Sequence, residues 1–321
     1  MALNGSGTAQ DPYIFTTPEE FKEAIAINNA YVEAGEENLV FDSGKDNIPS
    51  CLFRSRQFDG KNLTIRNMVS SATNVSLVKL ECSGGNHVID IRNTNFTNIM
   101  TTYLSSSSYW QWVYSNVADN TAYIRNCNFA GILRGPMPYA GECPVILNKQ
   151  RYDYLNLYDC TFNINMDNPR QGEQHYLFEL NHQYSEMNNC TICLSGVIRD
   201  QLAIVNGNTM QKCTIMNKPT NPLKVDHTGS SVTMELDARG SYQNYIKLYV
   251  EKIGNATPIL DLINSSRSAK ILVNKTRLGS YTTVNNGGII MYEDESAGAE
   301  NYIYSATNLN AKGFNVGEDV E

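Results

Sequence analysis

The chain is poor in charge and poorer still in charge of one sign. Lys, Arg, Asp and Glu make up 18% of its 321 residues, and the formal balance is −8. No run of Lys or Arg occurs. A nucleic-acid binder is expected to carry a basic stripe or patch, so direct contact with DNA or RNA is not expected. The same lack speaks against an anionic membrane surface. No apolar stretch approaches the roughly 18 residues of a membrane-crossing helix. The opening "MALNGSGTAQDPY" has neither a charged n-region nor an apolar h-region, so the expectation is a natural start without a secretory signal. Eight cysteines in a chain this long do not make a disulfide framework. Without a secretory route the sequons at Asn62, Asn95 and Asn255 carry no meaning. Apart from one segment, the 3.6-residue period of an amphipathic helix is absent as well.

What is present is a repeat. "LTIRNMVS" (63–70), "IDIRNTNF" (89–96), "AYIRNCNF" (122–129), "LNLYDCTF" (155–162), "SEMNNCTI" (185–192) and "TMQKCTI" (209–215) align on Ile65, Ile91, Ile124, Leu157, Met187 and Met210. The spacings are 26, 33, 33, 30 and 23 residues. A second unit lies between copies: "VSLVKLE" (75–81), "CPVILN" (143–148), "YLFELN" (176–181), "QLAIVN" (201–206) and "NPLKVD" (221–226), with "TPILDLIN" (257–264) and "GGIIMYE" (287–293) as looser members. Each unit is a short apolar strand closed by Asn, Asp or Gly. Asn and Asp tolerate the left-handed corner conformation. A period of this kind without helical patterning marks a parallel β-solenoid with two or three strands per coil.

The repeated cysteine falls at one repeat position: Cys127, Cys160, Cys190 and Cys213, with Thr94 one coil earlier. Cys and the following Phe or Ile are two apart, so they share a strand face. The expectation is an internal ladder of reduced thiols beside a ladder of Phe96, Phe129, Phe162, Ile192 and Ile215, because free Cys packs as a small hydrophobe. "CTIC" (190–193) has no His partner at zinc spacing, so no metal site is expected. Cys51 and Cys143 lie off the ladder.

One segment reads as a helix. In "TTPEEFKEAIAINNA", Thr17 suits an N-cap, Pro18 the first helical position, and Glu19 and Glu20 the first turn. Phe21, Ala24, Ile25 and Asn28 fall on one face of a helix spanning about 18–30. Its role would be to cover the open end of the first coil.

"GSGTAQDPYIFTTPEEFKEAI" resembles the start of right-handed parallel β-helix proteins of the pectin-lyase-like type, and the recurring "NCTF" coil is similar to the same group. The resemblance spans about residues 4–295 and concerns the fold. It implies either a secreted polysaccharide-binding protein or a bacteriophage virion protein, and the lack of a signal favours the virion branch. Pectate lyases of this type need clustered carboxylates for calcium with a basic residue. Galacturonase-like members carry "NTD", "DD", "GHG" and "RIK", and none of these strings occurs here.

The remaining candidates lie in three expected loops, 100–121, 130–153 and 163–184. They hold Tyr109, Trp110, Trp112 and Tyr114; then Arg134, Tyr139, Glu142, Arg151 and Asp153; then Asp167, Arg170, Glu173, His175 and His182. Tyr109, Trp110, Trp112, Tyr114, Arg134, Tyr139, Arg170, Glu173 and His175 are the candidate carbohydrate- or partner-binding set. The alternative is that Trp110 and Trp112, two apart, pack on the coil. Glu173 with Glu179 would be the catalytic pair if there were one. "EDESAGAE" (293–300) reads as a solvated turn or a calcium loop, and the acidic tail with Phe314 and Val316 as a free end or an arm held by a neighbour.

The expectation is an all-β chain: one right-handed parallel β-helix of about 9–10 coils with a short N-terminal capping α-helix. Residues 1–30 form the strand and cap, 31–295 the β-helix and 296–321 a C-terminal cap and acidic tail. The expected function is non-catalytic: a decoration, fibre or spike protein on the capsid or tail of a phage, made in the host cytoplasm. The alternatives are a receptor-binding protein or depolymerase (a polysaccharide lyase or glycoside hydrolase) acting on host surface polysaccharide, and a bacterial surface β-helix protein. No cofactor is expected. Partners are other virion proteins and host polysaccharide, and self-association is left open.

Overall fold

The computed structural model describes residues 3–70, 76–82, 87–102, 111–117, 120–134, 145–148, 154–167, 176–180, 185–198, 202–206, 208–218, 220–221 and 223–227, then the strand residues 231–242, 245–247, 250–254, 257–264, 270–274, 283–285 and 289–293. Short strands that end in Asn or Asp cannot fold back as hairpins when the corner turns the chain only part of the way. They wind instead. The result is a parallel β-solenoid in which twenty-six strands join one continuous sheet, because long strands such as Gln57–Arg66 and Val88–Thr102 bend through a corner and serve two faces.

Register defines three faces. On the first, Tyr13, Val32, Phe58, Ile91, Ile124, Leu157, Met187 and Met210 succeed one another in parallel pairing. On the second, the column is Phe41, Ile65, Phe96, Phe129, Phe162, Ile192, Ile215 and Ile246. On the third it is Cys51, Val78, Val113, Ile146, Phe178 and Val205. From Phe41 to Ile215 on the second face every member is buried, as is every member from Val32 to Met210 on the first. Alternate residues point out, as the period of two requires. Phe96, Phe129 and Phe162 stack with ring centres 4.9 and 5.1 Å apart and planes within 13° and 6°, close to the strand spacing itself.

The corners explain the Asn content. Asn93, Asn126, Asp159, Asn189 and Lys212 follow one another at the corner between the first and second faces, all with φ near +50°. Their side chains bond from coil to coil. Asn93 Nδ2 donates to Asp59 Oδ1 (2.9 Å), Asn126 Nδ2 to Asn93 Oδ1 (2.7 Å), and Asn189 Nδ2 to Asp159 Oδ1 (2.6 Å). Two further ladders run through Asn38, Asn62 and Asn95 and through Asp42, Asn67 and Asn98. An amide fits because it both donates and accepts.

The cap helix is present but shorter than expected, Pro18–Ile25. Thr17 Oγ1 accepts from the Glu20 N–H, and the Glu20 carboxylate accepts from the Thr16 and Thr17 N–H groups, a reciprocal capping box. Phe21, Ala24 and Ile25 are buried, whereas Asn28 lies past the helix and is exposed. The helix ends early because the Ile25 carbonyl accepts from Arg54 and Ser55 N–H of the first coil.

Three expectations are corrected. "LTIRNMVS" is not a copy in phase with the others. Phe58 lies under Ile91, while Ile65 lies under Phe96 on the next face. The corner Gly60–Lys61–Asn62 is longer than the single Asn93 above it, and this displaced the match. "NPLKVD" does not join the third face. Leu223 pairs with Gly196 at the end of the second. The expected loop 100–121 contains the strand Val113–Asn116, the missing third-face member between Val78–Glu81 and Ile146–Asn148.

Candidate functional site

The expected binding set divides. Trp112 is fully buried and Tyr114 nearly so, with the Lys79 ammonium 6.0 Å from the Tyr114 ring centre. Both belong to the third-face strand and its approach, so neither presents a free ring to a ligand. Their candidacy as binding aromatics is therefore corrected. Arg134 is exposed at the end of Asn128–Arg134, where its Nε donates to Asp167 Oδ2 at 2.9 Å on the strand above. Tyr109, Trp110, Tyr139, Arg170, Glu173 and His175 lie outside the described residues, as do Cys143, His182 and the acidic stretch 294–321.

The thiol ladder is as expected. Cys127, Cys160, Cys190 and Cys213 are buried, and none is in a disulfide. Each Sγ faces the carbonyl two residues back: Arg125, Tyr158, Asn188 and Gln211, at 3.2–3.4 Å. Thr94 Oγ1 donates to the Arg92 carbonyl at 2.9 Å in the same way. Burial pushes the Cys127 thiol up to about 12 and raises Cys190 and Cys213 well above the usual range. Cys127, Cys190 and Cys213 are thus packing groups held as neutral thiols, the reverse of an activated nucleophile. Among the described residues no group of three or more His, Cys, Asp or Glu could hold a metal ion. No helix there is long and apolar enough to cross a membrane.

A site that sequence reasoning missed occupies the outer side of the first face. Between the inward anchors, the outward positions carry Asp90, Tyr123, Asn156 and Glu186 in one column and Arg92, Arg125, Tyr158 and Asn188 in the next. The Arg125 guanidinium lies 4.3 Å from the Tyr123 ring centre and 4.6 Å from that of Tyr158. Its Nε reaches Asp90 Oδ1 at 3.3 Å, while Arg92 holds Asp90 Oδ2 at 2.5 Å. Asp90 is only 7% exposed. Its hydrogen bond holds the Arg92 guanidinium protonated above the ordinary range. The Tyr158 hydroxyl donates to Glu186, and burial, reinforced by that bond, raises its pKa above the usual phenol range. The signal was legible as "Y-x-R" in "YIRN" and as Tyr158 in "NLYD". Both tyrosines stand next to the anchors used for alignment, at positions the alignment treated as filler.

Among the described residues the platform does not present the spaced carboxylate pair of an inverting glycosidase. Both oxygens of Asp90 are engaged by guanidinium groups, Oδ2 by Arg92 and Oδ1 by Arg125, so the carboxylate is tied into the platform. Glu186 lies three strand spacings from Asp90, about 14 Å, beyond the roughly 6.5–9.5 Å of an inverting carboxylate pair. Asp59 is nearer, but its Oδ1 accepts from the Lys61 N–H and Asn93 Nδ2 and serves the corner. No protein-family model, no curated protein and no solved structure matches this chain.

Proposed function

We propose that the protein is a non-catalytic structural component of a bacteriophage particle, a decoration, fibre or spike protein joined to the capsid or tail and folded in the host cytoplasm. The column of buried thiols held outside any disulfide carries the reading. Four stacked reduced cysteines suit a rigid rod assembled in a reducing compartment, where disulfides do not persist. The described outward charges are largely spent on one another, as in Arg92–Asp90–Arg125 and Arg134–Asp167, which suits shape-keeping more than chemistry. The opening segment's similarity to virion β-helices points the same way. The test is mass spectrometry of gradient-purified particles produced from the encoding genome. The protein is expected in a fixed copy number per particle. Its absence from intact particles would refute the proposal.

A second reading is favoured by the Tyr123–Arg125–Tyr158 platform. Aromatic faces beside fixed polar groups are what a sugar ring packs on and bonds to. A receptor-binding protein that recognises host surface polysaccharide would use such a face without cleaving its ligand.

A further inference from the structure

Asn156 faces outward, yet it is buried. In Tyr154–Tyr158 the residues Leu155 and Leu157 fill the interior, so the side chain between them points away from the core. It is nonetheless only 7% exposed. Asp90, two strands below in the same column, is equally buried, but both of its oxygens are bonded to guanidinium groups. The Asn156 amide has no hydrogen bond among the described residues. A buried amide without partners lowers stability, so packing alone does not account for it. Its neighbours form a small grid. Tyr123 and Arg125 lie on the strand below, Asn156 and Tyr158 in the middle, Glu186 and Asn188 above. Strand spacing and rise make this about 7 by 10 Å. Arg125 is 35% exposed and spends Nε on Asp90 at 3.3 Å, and its two terminal nitrogens have no hydrogen bond among the described residues. Glu186 spends Oε1 on the Tyr158 hydroxyl and keeps Oε2 open in the same sense.

We propose that this grid is a subsite for a carboxylated sugar, with Arg125 holding the carboxylate and Asn156 reading the ring hydroxyls. The inference rests on the sugar-binding reading of the platform and names the class of sugar. Two guanidinium groups share the one Asp90 carboxylate, so one positive charge is left over where Arg125 is exposed. With Nε taken, the remaining pair of nitrogens forms a fork, and a fork suits a planar carboxylate. The Asn156 amide offers one donor group and one acceptor, which neighbouring hydroxyls of a ring can satisfy together. Glu186 accepts a further hydroxyl through Oε2 and opposes a ligand that is anionic throughout, such as a phosphate or sulfate chain. The Tyr123 ring supplies the apolar surface on which the C–H face of the sugar rests. Bound hydroxyls would give the Asn156 amide the partners that the fold withholds.

The test titrates the full chain with oligosaccharides containing glucuronate, galacturonate or mannuronate, and with the same oligosaccharides after reduction of their carboxyl groups to alcohols. At least one acidic member is expected to bind, and at least tenfold more tightly than its reduced counterpart. Arg125→Gln should erase that preference. Asn156→Leu should weaken the acidic and the reduced form alike by at least tenfold, while the protein melts no lower than wild type, because an amide without partners has been replaced by an apolar group of similar size. Equal affinity for acidic and reduced forms would overturn the carboxylate assignment and leave the sugar reading standing. Binding of neither series would remove both. A preference that survives Arg125→Gln would put the carboxylate elsewhere and overturn the subsite. A melting temperature several degrees lower in Asn156→Leu would show the amide to be structural, and the assignment of its role would fail.

Discussion

At the residue scale, the structure changes what the ladder cysteines cost to replace. A hydroxyl in an apolar stack is expensive when it has no partner. Here each thiol faces a carbonyl, and Thr94 shows the hydroxyl already in use. Cys160→Ser is therefore expected to cost only about 1 kcal/mol in urea unfolding, and Cys160→Thr, which keeps a methyl in the stack, less than that. A loss above about 3 kcal/mol would mean that the carbonyl is not accepting. The thiols also fix a pH response. Cys127 titrates near 12 in the folded chain against 9.0 unperturbed, so the native state holds its proton longer than the unfolded one. The stability this supplies is full below about pH 9 and drains away as pH rises towards 12, at about 1.4 kcal/mol per pH unit for such a group. The urea midpoint is expected to fall between pH 9 and 11, and to fall less steeply in Cys127→Thr. At the corners, Asn126→Ala should cost about 1–2 kcal/mol, since it loses the bond to Asn93 and replaces a residue that tolerates the left-handed φ of +48° with one that does not. Asn126→Gly should recover the backbone part, which separates the two causes by equilibrium unfolding.

At the element scale, the cap helix is the most specified piece of the chain. Phe21 lies 5.4–6.3 Å, ring centre to ring centre, from Phe15, Phe41, Phe53 and Phe58, and it closes the end of the apolar interior. Phe21→Ala is expected to destabilise by about 3–5 kcal/mol and Thr17→Ala by about 1 kcal/mol, read by thermal or urea unfolding. If Phe21→Ala unfolds like wild type, the helix is not sealing the coil. The cap was legible because Thr17, Pro18 and Glu20 act locally, through bonds within four residues. The strands were legible where corners were uniform. Ile91, Ile124 and Leu157 stack as spaced because each is followed by a one-residue Asn or Asp corner. Legibility ended where a corner changed length, as at Gly60–Asn62. It ended again where pairing along Thr191–Ile198 stops at Met216 and resumes at Leu223, which sent "NPLKVD" to another face. "QWVYSN" was hidden by its aromatics. Trp and Tyr suggested a sticky loop, although its closing Asn116 and the gap it fills in the second series marked it as a strand.

At the scale of the whole molecule, the question is whether the rod holds other proteins or holds sugar. The sequence pointed to tryptophans, but a solenoid buries its largest rings to fill its width, and Trp112 went inside. The exposed aromatic chemistry went instead to alternate positions of the first face. No alternation rule could have named them before the register was known, since a shift of one residue exchanges the two sides. Trp112→Ala would thus empty the core and tell nothing about binding. The informative variants are Tyr123→Ala and Arg125→Ala, whose side chains lie on the outer surface. As a structural protein, the purified chain incubated with host-type capsular or lipopolysaccharide glycans is expected to release no new reducing ends and no unsaturated uronates. Turnover abolished by Asp90→Asn would overturn both the structural assignment and the reading of that carboxylate as tied into the platform by two guanidinium groups. Should glycan be retained without turnover, the platform predicts at least a tenfold loss of affinity in Arg125→Ala, measured by glycan-array or calorimetric titration on protein with an unchanged melting temperature. The loss should weaken as salt is raised if the sugar is acidic, because ionic strength screens an exposed guanidinium. Retention that is indifferent to Tyr123, Arg125 and Tyr158 would move recognition off the first face entirely.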